Sequence, residues 1–558
     1  MKWIHNGYKT LEEVIEAHVG VPVSDFLTRK KYAFDDMNIA ANMIREAINN
    51  GEKITVFGDY DADGVTSSSI MDFVLKELKA NYTIRLPKRL SEGYGLSEKF
   101  VEDELEQGLL ITVDNGIAAL NAVKKAKEKG LKILILDHHL AVESGEVPEA
   151  DFVVDPHIIK TAEYEDYCGA GLAYKLACTM FPNNQNLLDK LSCLAAIGTI
   201  ADVMPLTGDN RNIVLDGLEN MKKKGHRPIG LAALLDICCL GDNLTAKDIA
   251  FKIGPMINAP GRLFDDGANI PLKLLTFNGN YTKAVDMATE LESFNNQRKE
   301  ATKVATELIH KNISDNCLYG DVPLCIYEPG LNPGLVGILA GRIAEEMHTP
   351  TFIFTDAEDG LLKGSGRNGG TINLKDLLDA HCELFAHYGG HEGAAGVAVE
   401  KDKYQHMVNE LLKADIQLPD EISDVCYDLE VTVNEIPALL KEMEKYEPFG
   451  MGNEKPVLLI KDFRAVPKYG KLFTTMGEDK QTIKIYGPTF DAIGFGMYDK
   501  YQKINKPKEL QVIGTIGKNN FMGKESLQVE LVDFKPNEKV VAKGNLQSLL
   551  ANAAASRH

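Results

Sequence analysis

Short runs of Ile, Leu, Val and Phe that stop abruptly at an acid recur three times in the first 140 residues. Ile54 to Phe57 breaks at Gly58 into DYDADG, Leu109 to Val113 ends in Asp114 and Asn115, and Leu131 to Leu136 ends in Asp137, His138 and His139. Continuous apolar runs of this length fit strands buried on both faces, and in an open parallel sheet ligands collect where such strands reach their carboxyl ends. Between them the period lengthens. Val65 to Leu78 predicts a helix behind the first strand. Asp35 to Ile48, with Met37, Ile39, Ala40, Met43, Ile44 and Ile48 at helical spacing, predicts a helix leading into it. Alternation from 54 to about 205 predicts a doubly wound α/β sheet.

Farther along, residues 206 to 279 are helical with Gly and Pro interruptions. Tyr281 to Ile313 predicts one long helix, with Met287, Leu291, Phe294, Val304 and Leu308 on one broad face. From about 320 the α/β pattern resumes in PLCIYEP, GLVGILAGRIAEEM, PTFIFT and GSGRN, with a helix over Gly334 to Met347. Five alternating segments, 456–462, 471–475, 481–486, 510–516 and 526–533, suit an OB-type barrel. The expected fold class is α/β: two α/β lobes joined by a long helix and followed by a β-barrel. The expected boundaries are a helical segment at 1–50, a first lobe with a helical subdomain at 51–279, the connecting helix at 280–315, a second lobe at 316–418, the barrel at 419–535 and a flexible tail at 536–558.

Composition narrows the function classes. A chain of 558 residues is too long for one core, and its nine cysteines form no CxxC, so neither a disulfide framework nor a zinc ribbon is indicated. A reducing cytoplasm fits. The amino terminus lacks a basic region followed by an apolar stretch, and no run of about 18 apolar residues occurs, so neither export nor a membrane is expected. Net charge is −20, with 61 basic against 81 acidic residues, which argues against a broad basic surface for nucleic acid. A channel with a local basic lining remains open: Lys88 with Arg89, Lys222 to Lys224 with Arg227, and Arg298 with Lys299 are candidates, though 222–224 reads better as an exposed helix face.

The chemistry lies where the apolar runs end. Asp59, Asp61 and Asp63 alternate and would point one way if the strand continued; three like charges there repel unless a cation sits between them, and an oxygen-rich site suits Mg²⁺ or Mn²⁺. A lone DxD is ordinarily a solvated turn, but Asp114, the Asp137–His138–His139 run and Asp202 in AAIGTIADVMPL repeat the arrangement. Two adjacent histidines after a strand-end acid are expensive to bury together, so one is expected on metal and the other facing an anion. In GGHEGAAG, His391 stands among glycines that let backbone N–H groups approach an anion.

DYDADG, VDNG, DHH and GTIADVMPL, in this order, resemble the four phosphoesterase motifs of the DHH superfamily. RLPKRLSEGYGL, GAGLAYKLA, INAPGRL, GSGRN, GGHEGAAG and PFGMGN extend the resemblance over nearly the whole chain to the RecJ family of bacterial single-stranded-DNA exonucleases. The resemblance implies that the first lobe is a DHH phosphoesterase domain, the second a DHH-associated domain, and the barrel a nucleic-acid-binding module. It implies hydrolysis of single-stranded DNA to nucleotides, 5′ to 3′, in DNA repair and recombination, with Mn²⁺ or Mg²⁺, two ions, as cofactor. Asp114 would lie between ions about 3.5 to 4 Å apart, with Asp61, Asp63, His138 and Asp202 completing the cage. Asp59 is either a ligand or an outer acceptor, Asp137 orients a histidine, and His139 meets a phosphate oxygen. Ser365 and Arg367, with Arg89, would hold the 5′ phosphate; Arg262 and Arg342 would contact the backbone or guard the entrance; His391 would sit over the scissile phosphate.

Two departures weaken the correspondence: Asn332 and Asn368 stand where the family usually has His and Ser, and altered affinity is expected from them. Single-stranded DNA is the implied partner, with a single-strand-binding protein and a helicase as further candidates, and a monomer is expected. A DHH phosphodiesterase for oligoribonucleotides or cyclic dinucleotides would be shorter and lack the barrel. A non-catalytic DNA-binding scaffold would not need every metal-type residue, and a manganese pyrophosphatase would be much smaller.

Overall fold

The computed structural model describes residues 2–537 apart from 90, 94, 142–144, 159–160, 358–359, 419–423, 478–479 and 522–523. From 538 on, the tail expected at 536–558 lies outside the described residues. The chain forms two compact units, one of residues 31–204 and 209–420, the other of residues 1–30, 205–208 and 421–558.

In the larger unit five parallel strands lie in the order Tyr82–Arg85, Ile54–Phe57, Leu109–Val113, Lys132–Leu136, Phe152–Val154. Register pairs Phe57 with Thr112, Val113 with Leu136 and Leu136 with Val154, so the segments after each strand leave from one edge. The strand holding Ile54 stops at Phe57, so Asp59, Asp61 and Asp63 do not alternate along a strand. Asp61 is instead the N-cap, and Asp63 lies in the first turn, of the Ala62–Glu77 helix. That helix packs against the Gly169–Met180 and Gln185–Ala201 helices. The unit's second sheet runs His387–Gly390, Ala394–Glu400, Leu361–Arg367, Thr351–Asp356, Leu324–Tyr327, antiparallel except for the last pair.

Tyr281–Asp315 is one helix of 35 residues. Its expected apolar face does not hold to the end: Val304 and Leu308 are 48% and 44% exposed, while Ala305, Ile309 and Ile313 enter the core with Leu339 and Ile343. The two stripes are about 100° apart on the helix, and only the neighbouring lobe decides which is covered.

In the smaller unit seven strands, not five, form one sheet; Leu429–Val431 and Asp491–Gly494 are the additional ones, and a short helix spans Tyr498–Lys503. The segment expected at 1–50 divides between the two units. Trp3–His5 pairs in parallel with Val425–Tyr427, and Leu11, Val14, Ile15, Val23 and Phe26 join the core of Leu458, Ile460 and Phe463, whereas Asp36–Asn49 packs against Gly169–Met180. Amphipathic spacing predicts a helix but not which core receives its apolar face. Among the described residues no helix is long and apolar enough to cross a membrane.

Candidate metal centre

Helix termini and strand ends bring the acids together. Asp61 Oδ1 accepts from the N–H groups of Asp63 and Gly64 at 2.9 and 3.0 Å, capping its own helix. Asp63 Oδ2 accepts from Gly169 N at 2.6 Å and Oδ1 from Ala170 N at 2.9 Å, so the first turn of a second helix fixes this carboxylate. Glycine is required there, because a Cβ on residue 169 would lie 2.5 Å from Asp114 Cβ. Gly198 is similar: its Cβ would stand 2.4 Å from Asp63 Oδ1. Asp114 follows its strand with φ +62°, a conformation Asp tolerates better than most residues. Asp202 is the C-cap of Gln185–Ala201, so the fourth motif arrives from a helix end. The next residue, Val203, is held at φ +57°, where a β-branched side chain costs roughly 1–2 kcal/mol.

His138 is the hub. Its Nε2 is 3.1 Å from Asp114 Oδ1, 3.6 Å from Asp202 Oδ2 and 3.9 Å from Asp63 Oδ2. Asp59, Asp61 and Asp114 also offer ligand atoms within 4.8 Å of one another, as do Asp114, His138 and His139, and Asp63, His138 and Asp202. Asp137 is occupied otherwise: Oδ1 accepts from His138 N and His139 N and lies 2.7 Å from His139 Nδ1, while Oδ2 accepts from Ile117 N. It is placed to orient His139.

Burial, and after it the neighbouring carboxylates, hold Asp59 and Asp114 well above the ordinary carboxylate range and raise Asp61. Asp202 is pushed up to about 8, first by burial and then by Asp63 and Asp61. Burial lowers His138, which favours the neutral imidazole a metal requires. For His139 burial is outweighed by the hydrogen bond and charge of Asp137, which push it up to about 9. Among the described residues Asp59 Oδ1 is buried without a hydrogen-bond partner. An orphaned carboxylate oxygen within a crowd of acids and one neutral imidazole fits Mg²⁺ or Mn²⁺.

Two cationic groups lie in the same unit. The Arg89 guanidinium sits 4.5 Å over the Tyr60 ring, beside Arg262, whose pKa falls to about 10 through burial and then through Arg89 and Arg298. Arg262 has no ion-pair partner among the described residues. Arg367 Nη1 donates to Ser365 Oγ and to Gly366 O, both at 2.7 Å, and its Nη2 lies 3.1 Å from where a Cβ of Gly337 would stand. Among the described contacts none joins Arg89 to Arg367, and none brings His391 or the exposed Arg342 to the carboxylates. His391 Nδ1 accepts from Gly393 N at 3.2 Å. Of the two departures only Asn368 proves local, tying Gly370 N to Ile372 O; Asn332 Oδ1 accepts from Gly334 N while its Nδ2 donates to the carbonyl of Leu263, the residue after Arg262, at 3.5 Å. Sequence reasoning missed Tyr60, the Asp63 clamp of Gly169 and Ala170, and Gly198. Of these only the GAG run carried a local signal.

Residues 53–199 match the DHH family, N-terminal domain, 315–416 the DHHA1 domain and 427–533 the RecJ OB domain. The single-stranded-DNA-specific exonuclease RecJ of Haemophilus influenzae is 31% identical over 532 residues, 89% of this chain and 89% of that protein. The chain belongs to the RecJ family. The RecJ of Bacillus subtilis is 32% identical over 90% of this chain, which spans only 64% of that longer protein. RecJ of Thermus thermophilus, solved in complex with Mn²⁺, superposes with a TM-score of 0.78 at 25% identity, covering 96% of this chain and 79% of that one. An exonuclease RecJ bound to manganese has a TM-score of 0.60 at 30% identity, over 70% of this chain and 98% of that one.

Proposed function

We propose that this chain hydrolyses single-stranded DNA with divalent metal ions, releasing nucleotides from the 5′ end. The observation that carries the reading is the meeting of Asp59, Asp61, Asp63, Asp114, His138 and Asp202 at one sheet edge in a chain of RecJ sequence. Asp61, Asp63, Asp114, His138 and Asp202, with Asp59, would hold two Mn²⁺ or Mg²⁺ ions. Ions bound there would acidify water and offset charge on the leaving oxygen.

The chain's own residues do the rest. Asp63, clamped by Gly169 and Ala170, and Asp114, fixed by its left-handed turn, set the ligand geometry before the substrate arrives. His139 bonds Asp137 through Nδ1, which orients the ring, and its Nε2 would face a phosphate oxygen. Arg367, half-buried with its pKa lowered by burial, lies with Ser365 and suits the terminal phosphate, which is the residue-level basis for 5′ polarity. Arg89 and Arg262 suit a backbone phosphate nearer the acids. The smaller unit, with its OB match, suits the strand beyond the site. On this reading the chain works as a monomer in the cytoplasm, on strands delivered by a helicase or a single-strand-binding protein. The test is hydrolysis of a labelled single strand with Mn²⁺: release of nucleotides that chelator abolishes supports the reading, and chelator-insensitive or absent release refutes it.

A further inference from the structure

Val203 occupies the one position of its helix terminus that calls for glycine. The turn after Gln185–Ala201 is closed by Val203 N donating to Ile200 O at 3.2 Å and Met204 N to Thr199 O at 3.1 Å, the pattern that places a left-handed residue, usually Gly, just past the cap. Among the described non-glycine residues with positive φ it is the only β-branched one. Side-chain packing does little to offset the strain, because the side chain is 59% exposed. Leu140, directly after His139, is 76% exposed. The segments carrying these two side chains meet at the metal cluster, where His138 Nε2 and Asp202 Oδ2 are 3.6 Å apart.

Strain kept at a site is a pointer to function when the free chain gains nothing from it. The groups nearest a phosphate held by this cluster are the sugars on either side, the bases lying farther out. An isopropyl or isobutyl group offers C2′ of deoxyribose an apolar contact and offers a 2′-hydroxyl no hydrogen-bond partner. We propose that Val203, with Leu140, forms an apolar wall against the sugar at the scissile phosphate and so favours deoxyribose over ribose. This rests on the nuclease reading and names the residues that choose the sugar.

The test compares oligo(dU) with oligo(U) of equal length, which differ only in the 2′-hydroxyl, for the wild type, Val203→Thr and Val203→Gly. An apolar wall rejects an added hydroxyl by up to about 10²-fold, so the wild type should prefer oligo(dU) by about tenfold or more in kcat/KM. Val203→Thr keeps the branched shape and supplies a partner for the hydroxyl, and should shrink that preference about fivefold or more. Val203→Gly should shrink it too while raising the melting temperature of the metal-free protein, a readout independent of catalysis. The same preference in all three proteins, with oligo(dU) cut well, would overturn the inference and leave the nuclease reading standing. Failure of the wild type to cut oligo(dU) at all would overturn the nuclease reading and this inference with it.

Discussion

Raising the pH from 6 to 8 should tighten Mn²⁺ binding by about fifty-fold or more and should release protons as the metal binds. Asp202, held near pKa 8 by burial and by Asp63 and Asp61, stays protonated in the metal-free protein at neutral pH. A carboxyl with a pKa of about 8 is roughly 1% ionised at pH 6 and half ionised at pH 8, so proton competition weakens metal binding about a hundredfold at the first pH and about twofold at the second. The ratio corresponds to about 2 kcal/mol. Asp59 and Asp114, raised well above the ordinary range, steepen the dependence, while His138, lowered by burial, adds little. Titration calorimetry in two buffers of different ionisation enthalpy counts the protons, and the paramagnetic resonance of free Mn²⁺ gives the affinity. Asp202→Asn should bind more weakly and with a shallower pH dependence. Equal affinity at pH 6 and pH 8, with no proton released, would refute the reasoning. Folding shows the opposite sign. Because the folded pKa of Asp202 lies above 3.8, its contribution to stability is present below that pH and is lost as pH rises through about 8. The metal-free protein should therefore melt at a lower temperature at pH 8 than at pH 6.

Asp114→Asn should abolish hydrolysis while the metal-free protein melts no lower than wild type, since among the described residues this carboxylate bonds only to His138 and loses its repulsion. Asp63→Ala should lose activity and stability together, because two N–H bonds to a carboxylate go with it, at about 1.5–3 kcal/mol each. Gly169→Ala should destabilise by about 1–3 kcal/mol and cut activity more than tenfold; Gly171→Ala, whose nearest neighbour is Tyr167 Cδ1 at 3.3 Å, should do much less in both assays. Arg367→Ala, measured with Ca²⁺ in place of Mn²⁺, should weaken binding of a 5′-phosphorylated strand much more than of a 5′-hydroxyl strand, and equal losses would remove it from the terminal phosphate.

The parts legible in the sequence were those written in local patterns. Apolar runs ending in Asp114 and Asp137 read directly as buried strands delivering acids to one edge, because a parallel sheet needs such runs and aligns their ends. Asp59, Asp61 and Asp63 were recognisable as a cluster, but not as a coil and a helix cap, since alternation along a strand and an Asx cap look alike in one dimension. Gly198 carried no signal at all: its reason is an Asp63 oxygen more than a hundred residues away in sequence. The same limit explains Trp3 to Phe26, whose partners begin at Val425. It also explains Val304 and Leu308, where two adjacent helical stripes were equally apolar and only the second lobe could choose between them.

The most direct measurement follows the same single strand labelled at its 5′ end and, separately, at its 3′ end, incubated with Mn²⁺ and sampled before completion. Release of the 5′ label as a nucleotide at the earliest times, with a ladder of progressively shortened 3′-labelled strands and no product in chelator, is expected. A 5′-labelled ladder with early loss of the 3′ label, or internal cuts on both strands, would contradict the assignment of the second lobe to the 5′ end; undiminished cutting in chelator would contradict the metal centre itself.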